Sequence, residues 1–164
     1  MSTNIKFFLL CPIPEDQKPI NEYIGLKENS LTNWTTLSKK QYENKIRSLL
    51  LVILGGVSFF NLSDLDLGIT WIVNNLFITS LIFVIFCWIV IFRWSQAKKR
   101  FNSSRLFYEE VSWYDGQIWD KPLLIIKNDR LISTQKITPI LSRLKRTTYF
   151  FSYVSFLLFL LIIL

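Results

Sequence analysis

Carboxylates and large aromatic side chains crowd together in YEEVSWYDGQIWDKP, residues 108–122. Acids held among rings at a surface can bind a cation, or serve as general acid and base once their environment shifts their pKa values. That chemistry makes Glu109, Glu110, Trp113, Tyr114, Asp115, Gly116, Trp119 and Asp120 a candidate functional surface. The plainer alternative is a hairpin whose rings sit at a membrane interface while its acids face water. Further chemistry is scarce. The chain has no histidine, and its cysteines, Cys11 and Cys87, are expected at different depths. Most zinc, haem and iron–sulfur designs need clustered Cys or His, so no metal site is assigned. No P-loop, GxGxxG, GxSxG or HExxH pattern occurs, so no catalytic residue is assigned and the cofactor stays unknown.

The elements that must position this surface are set by clustering of apolar residues. Hydrophobic residues make up 51% of 164, and the mean hydropathy is +0.32. A soluble domain would spread them at helical or strand periods; here they form unbroken runs. Residues 46–62, 71–92 and 147–164 are expected to be transmembrane helices 1, 2 and 3. The first is marginal, since a ~30 Å hydrocarbon core needs about 20 residues. It carries a small-residue patch, Gly55, Gly56 and Ser58, suited to close helix packing or simply typical of membrane helices. The second is flanked by Trp71 and Trp94, placed as interfacial anchors would be. Asn74 and Asn75 near its start could bond across helices or mark the interface. No acid, Lys or Arg lies within the central spans, which argues against a proton relay or ion pathway.

The formal charge of +7 is placed by topology rather than by nucleic acid. Lys39, Lys40, Lys45 and Arg47 precede the first span; Lys98, Lys99, Arg100 and Arg105 follow the second; Arg143, Lys145 and Arg146 precede the third. The link between the first two spans carries only Asp64 and Asp66. All basic clusters therefore belong on one cis side, with the N-terminus in and the C-terminus out. No cleavable signal is expected, because Phe7-Phe8-Leu9-Leu10 is short and is closed by Pro12 and Pro14.

The cis side comprises residues 1–45 and 93–146. Ser38 with Gln41 forms a capping box that should start a helix near Lys39. After a helical extension through WSQAKKRFNSS, two β-like runs surround Asp115-Gly116, a dipeptide suited to a type I′ turn, and Pro122 limits the second run. Residues 129–145 fit an interfacial helix kinked at Pro139. The expected fold is mainly α and integral to the membrane, with three transmembrane helices and a small cis-side module of hairpin plus interfacial helix.

CPIPEDQKPINEY (11–23), Trp34, YEEVSWYDGQIWDKP (108–122) and NDRLI…ITPILSRL (128–144) resemble the signature blocks of a hypothetical chloroplast reading-frame family. Its members are encoded in algal plastids, with relatives in cyanobacteria and green-lineage nuclear genomes, and they carry a domain of unknown function. The resemblance covers most of the chain. Where the family pattern has Ser-Gly before the first Trp of its WYDGQxWxKP block, this chain has Val111 and Ser112, so a less tight turn is expected. The resemblance implies a plastid membrane protein, thylakoid or envelope, with basic loops on the stromal side. It supplies no catalytic residues.

Two functions follow as expectations. The first is a non-catalytic accessory factor that assembles or maintains a photosynthetic complex, with the lipid bilayer and other membrane proteins as partners and no nucleic acid. The second is a membrane-surface enzyme, or a metal- or cofactor-handling protein, using the carboxylates of residues 109–120. Oligomeric state does not follow from the sequence.

Overall fold

The computed structural model describes residues 13–61, 68–109 and 116–163, and these are mainly helical. In chain order they form α1 (Pro19–Glu28), α2 (Lys39–Phe60), α3 (Ile69–Asn102), β1 (Arg105–Glu109), β2 (Gly116–Asp120), α4 (Leu123–Ile132), a π-helical turn (Ser133–Ile137) and α5 (Thr138–Ile163). Short 3-10 turns at Glu15–Gln17 and Asn33–Thr36 flank α1.

Among the described residues, two helices are long and apolar enough to cross a membrane, Ile69–Asn102 and Leu123–Ile163. The 34 residues of α3 span about 51 Å at 1.5 Å each, so its basic last turns project beyond a ~30 Å core. The apolar windows of both helices lie mostly outside the protein core. α2 has 22 residues, but Lys39, Lys40, Glu43, Lys45 and Arg47 occupy its first turns. Its apolar part, Ser48 to Phe60, covers only roughly 20 Å. The span expected over 46–62 therefore does not meet the same length and composition as the other two.

α3 and α5 pack along a regular seam. Phe83, Cys87, Val90, Trp94, Ala97 and Phe101 of α3 are buried at alternating spacings of four and three, which is one helix face. Ile137, Leu141, Leu144, Thr148 and Ser155 answer from the π turn and α5. Thr148 on that face hydrogen-bonds within its own helix (Oγ1 to Leu144 O, 2.9 Å), so this small side chain lets the backbones approach with its hydroxyl satisfied. α2 closes the other side: Asn61 donates to Asn75 Oδ1 (2.6 Å) across helices, and the Trp71 indole donates to Asn61 O (3.1 Å). A Cβ at Gly55 or Gly56 would meet nothing within 4 Å among the described residues.

A cluster of buried aromatic side chains lies near the start of α2. Trp34 is buried there, its indole donating to Leu31 O (2.8 Å) while its ring stacks on Tyr42 (5.3 Å) and Phe86 (6.2 Å). The turn carrying it is tied internally, Thr32 donating to the carbonyl of Leu26 and Thr35 to Thr32 O (2.7 Å). Arg143 then bonds Leu37 O (2.9 Å) and lies over the Tyr42 ring (5.2 Å), and Tyr42 meets Thr147 (3.1 Å). These contacts join the segment before α2 to α5.

Some local expectations are met in altered form. α2 does begin at Lys39 after Ser38, but the Ser38 hydroxyl bonds the Gln41 amide oxygen (3.0 Å) rather than a backbone N–H. The hairpin exists as an antiparallel pair, with Glu109 opposite Gly116 and Arg105 opposite Asp120. In that register Gly116, of the dipeptide expected at the turn, is already the first residue of β2, and Asp115 lies outside the described residues. The reason is burial: this pairing turns Leu106, Tyr108 and Trp119 to one face, against Ile13. No separate helix lies along the membrane over 129–145. Instead α4, the π turn and α5 run on as one helix into the span. Pro139 has no N–H to bond the carbonyl four residues back, and the widened turn just before it absorbs that missing bond. Thr138 Oγ1 helps by donating to Ser133 O (2.9 Å).

Candidate functional site

α3 ends in Lys99 and Arg100, cations placed favourably at the negative end of the helix dipole. Beyond Asn102 the chain turns through Ser103 and Ser104 into β1. The returning strand is prolonged past β2 by Lys121 N donating to Ser104 O (2.9 Å), which brings the Lys121 side chain back over the end of α3. Its ammonium donates to the helix-end carbonyl of Arg100 (3.0 Å), which also accepts from the Ser103 hydroxyl (2.9 Å), and to Asp129 Oδ2 on α4 (2.6 Å). The Lys121 side chain is 1% exposed and that of Asp129 15%. A buried ammonium needs such compensation, and here one lysine caps α3 while anchoring α4 to it.

Arg100 serves the opposite direction. Its guanidinium donates to Glu22 of α1 (3.1 Å) and to Gln17 O (3.4 Å), holding the N-terminal segment against α3. Tyr23 of α1 sits edge-on to Trp94 (5.9 Å) and Phe101 (6.4 Å), and burial raises its phenol above the ordinary 10.0. Between this segment, the hairpin and α4 lies a cavity of about 440 Å³. Ile13, Ile20, Leu106, Trp119, Ile125 and Ile132 make its lining largely apolar, and Lys18, Lys121, Asn128 and Asp129 supply the polar part.

The cavity is where three of the sequence blocks that carried the family resemblance converge. Residues 11–23 contribute Ile13, Lys18, Pro19 and Ile20; residues 108–122 contribute Trp119 and Lys121; residues 128–144 contribute Asn128, Asp129, Leu131 and Ile132. The fourth, Trp34, is the buried plug already described.

The residues singled out from sequence are dispersed. Glu110, Trp113, Tyr114 and Asp115 lie outside the described residues, and Glu109 ends β1 opposite Gly116. Asp120 pairs with Arg105 (2.9 Å) on the outer face of the hairpin, both side chains about three-quarters exposed (75% and 73%). A Cβ at Gly116 would meet the far end of the exposed Phe107 ring at 2.1 Å, so a larger residue there requires that ring to move. Of the candidates among the described residues, only Trp119 reaches the cavity. No group of three or more His, Cys, Asp or Glu suited to a metal ion occurs among the described residues. Sequence reasoning missed Lys121 and Asp129. Both stood inside the quoted blocks, but a lysine before a proline and an aspartate in a helix carry no spacing signal that would pair them.

The profile described as CGLD27-like, "Conserved in the green lineage and diatoms 27", matches residues 11–150. The chain belongs to the CGLD27-like family. The CGLD27-like chain is 39% identical over 150 residues to uncharacterized protein ycf36 of Pyropia yezoensis, covering 87% of this chain and 88% of that one. It is 37% identical over 145 residues to uncharacterized protein ycf36 of Cyanophora paradoxa, covering 84% and 88%. Against the chloroplastic protein Conserved in the Green Lineage and Diatoms 27 of Arabidopsis thaliana, identity is 35% over 143 residues, covering 82% of this chain and 42% of that longer one. No solved structure matches the chain. Its CGLD27-like relatives are thus plastid proteins, and the matched region takes in every residue of the cavity described above.

Proposed function

We propose that this chain is a non-catalytic accessory protein of a plastid photosynthetic membrane, thylakoid or envelope, which helps to assemble or maintain a pigment–protein complex. The observation that carries the reading is the outer face of the hairpin. Phe107 and Ile118 pair directly across the strands and are 59% and 65% exposed, beside the Arg105–Asp120 ion pair. Paired apolar side chains facing outward on a strand, framed by charge, have the composition of a docking face rather than of a solvated one. The plastid setting is supported by the family's relatives.

The reading includes three membrane crossings. α2 begins at the cis core through Tyr42 and ends where Asn61 meets Trp71 and Asn75, at the far end of α3. It therefore covers nearly the same depth as its neighbour, and Leu51, Val52, Phe59 and Phe60 project outward for lipid or a partner helix. With the basic clusters at the shared end, the N-terminal side and the hairpin face the stroma and the C-terminus the opposite compartment.

Native gels of photosynthetic membranes test the docking face. The unaltered protein should co-migrate with a complex or its assembly intermediate, and Phe107→Asp with Ile118→Asp should release it at unchanged abundance. Migration as a free monomer, with normal complexes in a deletion strain, would refute the accessory role.

A further inference from the structure

A groove of about 240 Å³ lies between α3 and α5, away from the hairpin. The two helices run antiparallel: Phe77 meets Phe159 (5.9 Å) and Phe83 meets Phe151 (4.7 Å). The same register, carried toward the basic end, brings Lys145 level with Ile91, and both line the groove. Trp88, Ile91 and Phe92 supply its apolar part; Ser95, Lys145, Thr148 and Tyr149 supply its polar part. Thr148 is satisfied within its own helix by Leu144 O (2.9 Å). The side chains of Ser95, Lys145 and Tyr149 form no hydrogen bond or ion pair with any described residue. No acidic residue is among the described lining residues, so the charge of Lys145 stands unanswered there.

The lining decides the class of occupant. An ammonium has three donors, and a hydroxyl and a phenol have one each. These free donors sit where the apolar stretches of α3 and α5 end, and a lysine so placed lifts its ammonium toward the headgroups along its own methylenes. One turn and two turns deeper along α3 come Phe92 and Trp88, which are 63% and 55% exposed. A soluble anion would leave those rings uncovered, and a neutral lipid would leave the ammonium without a counter-charge. We propose that the groove holds one anionic phospholipid, its phosphate at Lys145, Ser95 and Tyr149 and an acyl chain along Phe92 and Trp88. Basic pockets between membrane helices take such headgroups. The inference rests on α3 and α5 crossing a bilayer; it needs neither the docking face nor a crossing by α2.

Photolabelling of the full-length protein in phosphatidylcholine nanodiscs tests this, the probe being phosphatidylglycerol or phosphatidylcholine with the same diazirine-bearing chain. On the unaltered protein, phosphatidylglycerol should label residues 88–95 and 145–149 roughly fivefold more than phosphatidylcholine, which corresponds to about 1 kcal/mol for one charge near the headgroups. Lys145→Gln should bring that ratio close to one, and Lys145→Arg should keep it. Lys40, exposed in the first turn of α2, lies outside the groove, so Lys40→Gln should leave the ratio unchanged. An equal fall in Lys40→Gln and Lys145→Gln assigns the preference to diffuse surface charge and overturns the proposal. Equal labelling by the two lipids on the unaltered protein overturns it whether or not a variant folds. So does labelling confined to residues 156–163 with both probes, because a partner helix would then fill the groove. Washing membranes in alkaline carbonate separates the two levels. A protein that washes off refutes the crossings and the site together, whereas equal labelling of a retained protein refutes the site alone.

Discussion

A lysine whose side chain is 1% exposed can stay charged only while something answers its charge, and for Lys121 that is Asp129 at 2.6 Å together with a helix-end carbonyl. Lys121→Met would leave the Asp129 carboxylate largely buried without its cation and expose the end of α3. The expected loss is about 3 kcal/mol, the lower end for breaking a buried pair, because Asp129 retains some solvent. Arg105→Ala breaks an exposed pair and should cost at most about 1 kcal/mol. Thermal unfolding of both variants in the same detergent compares them; equal losses would show that the Lys121 pair is not buried in solution. Tyr42 gives a pH signature. Burial raises its phenol above 10.0, opposed in part by the hydrogen bond with Thr147 and by Arg143. The folded state thus favours the neutral phenol, so its stabilisation is complete below the unfolded value and is lost as pH rises through the folded one. Stability measured at a series of pH values spanning 10.0 should fall on the alkaline side, and Tyr42→Phe should flatten that fall. An unchanged slope in the variant would assign the alkaline loss to other groups.

At the scale of elements, the stack of Trp34 between Tyr42 and Phe86 fastens the segment before α2 onto the helices. Trp34→Ala should cost about 3–5 kcal/mol, the usual penalty for emptying a buried tryptophan site. It should also raise protease sensitivity between α1 and α2 while leaving α3 and α5 protected; uniform sensitivity along the chain would mean that the stack holds the whole bundle. Elements whose causes are local were legible in the sequence: the start of α2 after Ser38, the long second helix with its basic extension, and a hairpin before Pro122. What was illegible depends on contacts distant in sequence. Strand register follows from Leu106 and Tyr108 packing on Ile13, which no local pattern announces. The continuity of α4 into α5 depends on a wide turn that relieves Pro139, where the proline alone suggested a kink. The acidic aromatic block drew attention by composition, yet the residues that build the cavity there are Trp119 and the unremarked Lys121, completed by residues 13–20 and 125–132.

The whole molecule, on the proposed three-span reading, has the apolar ends of α3 and α5 in lipid and its hairpin and Trp34 cluster outside it. Its organisation rests on the basic clusters sharing one face and on α2 reaching the far end of α3. Site-directed labelling in sealed, oriented membrane vesicles tests that directly, using a membrane-impermeant maleimide on chains whose Cys11 and Cys87 are replaced by serine and which carry one new cysteine each. Ser104→Cys on the cis module and Asn29→Cys after α1 should react from the same side. Ser63→Cys between α2 and α3, and a cysteine added after Leu164, should react only from the other. If Asn29→Cys and the C-terminal cysteine react from one compartment, α2 does not cross and the three-span account is contradicted.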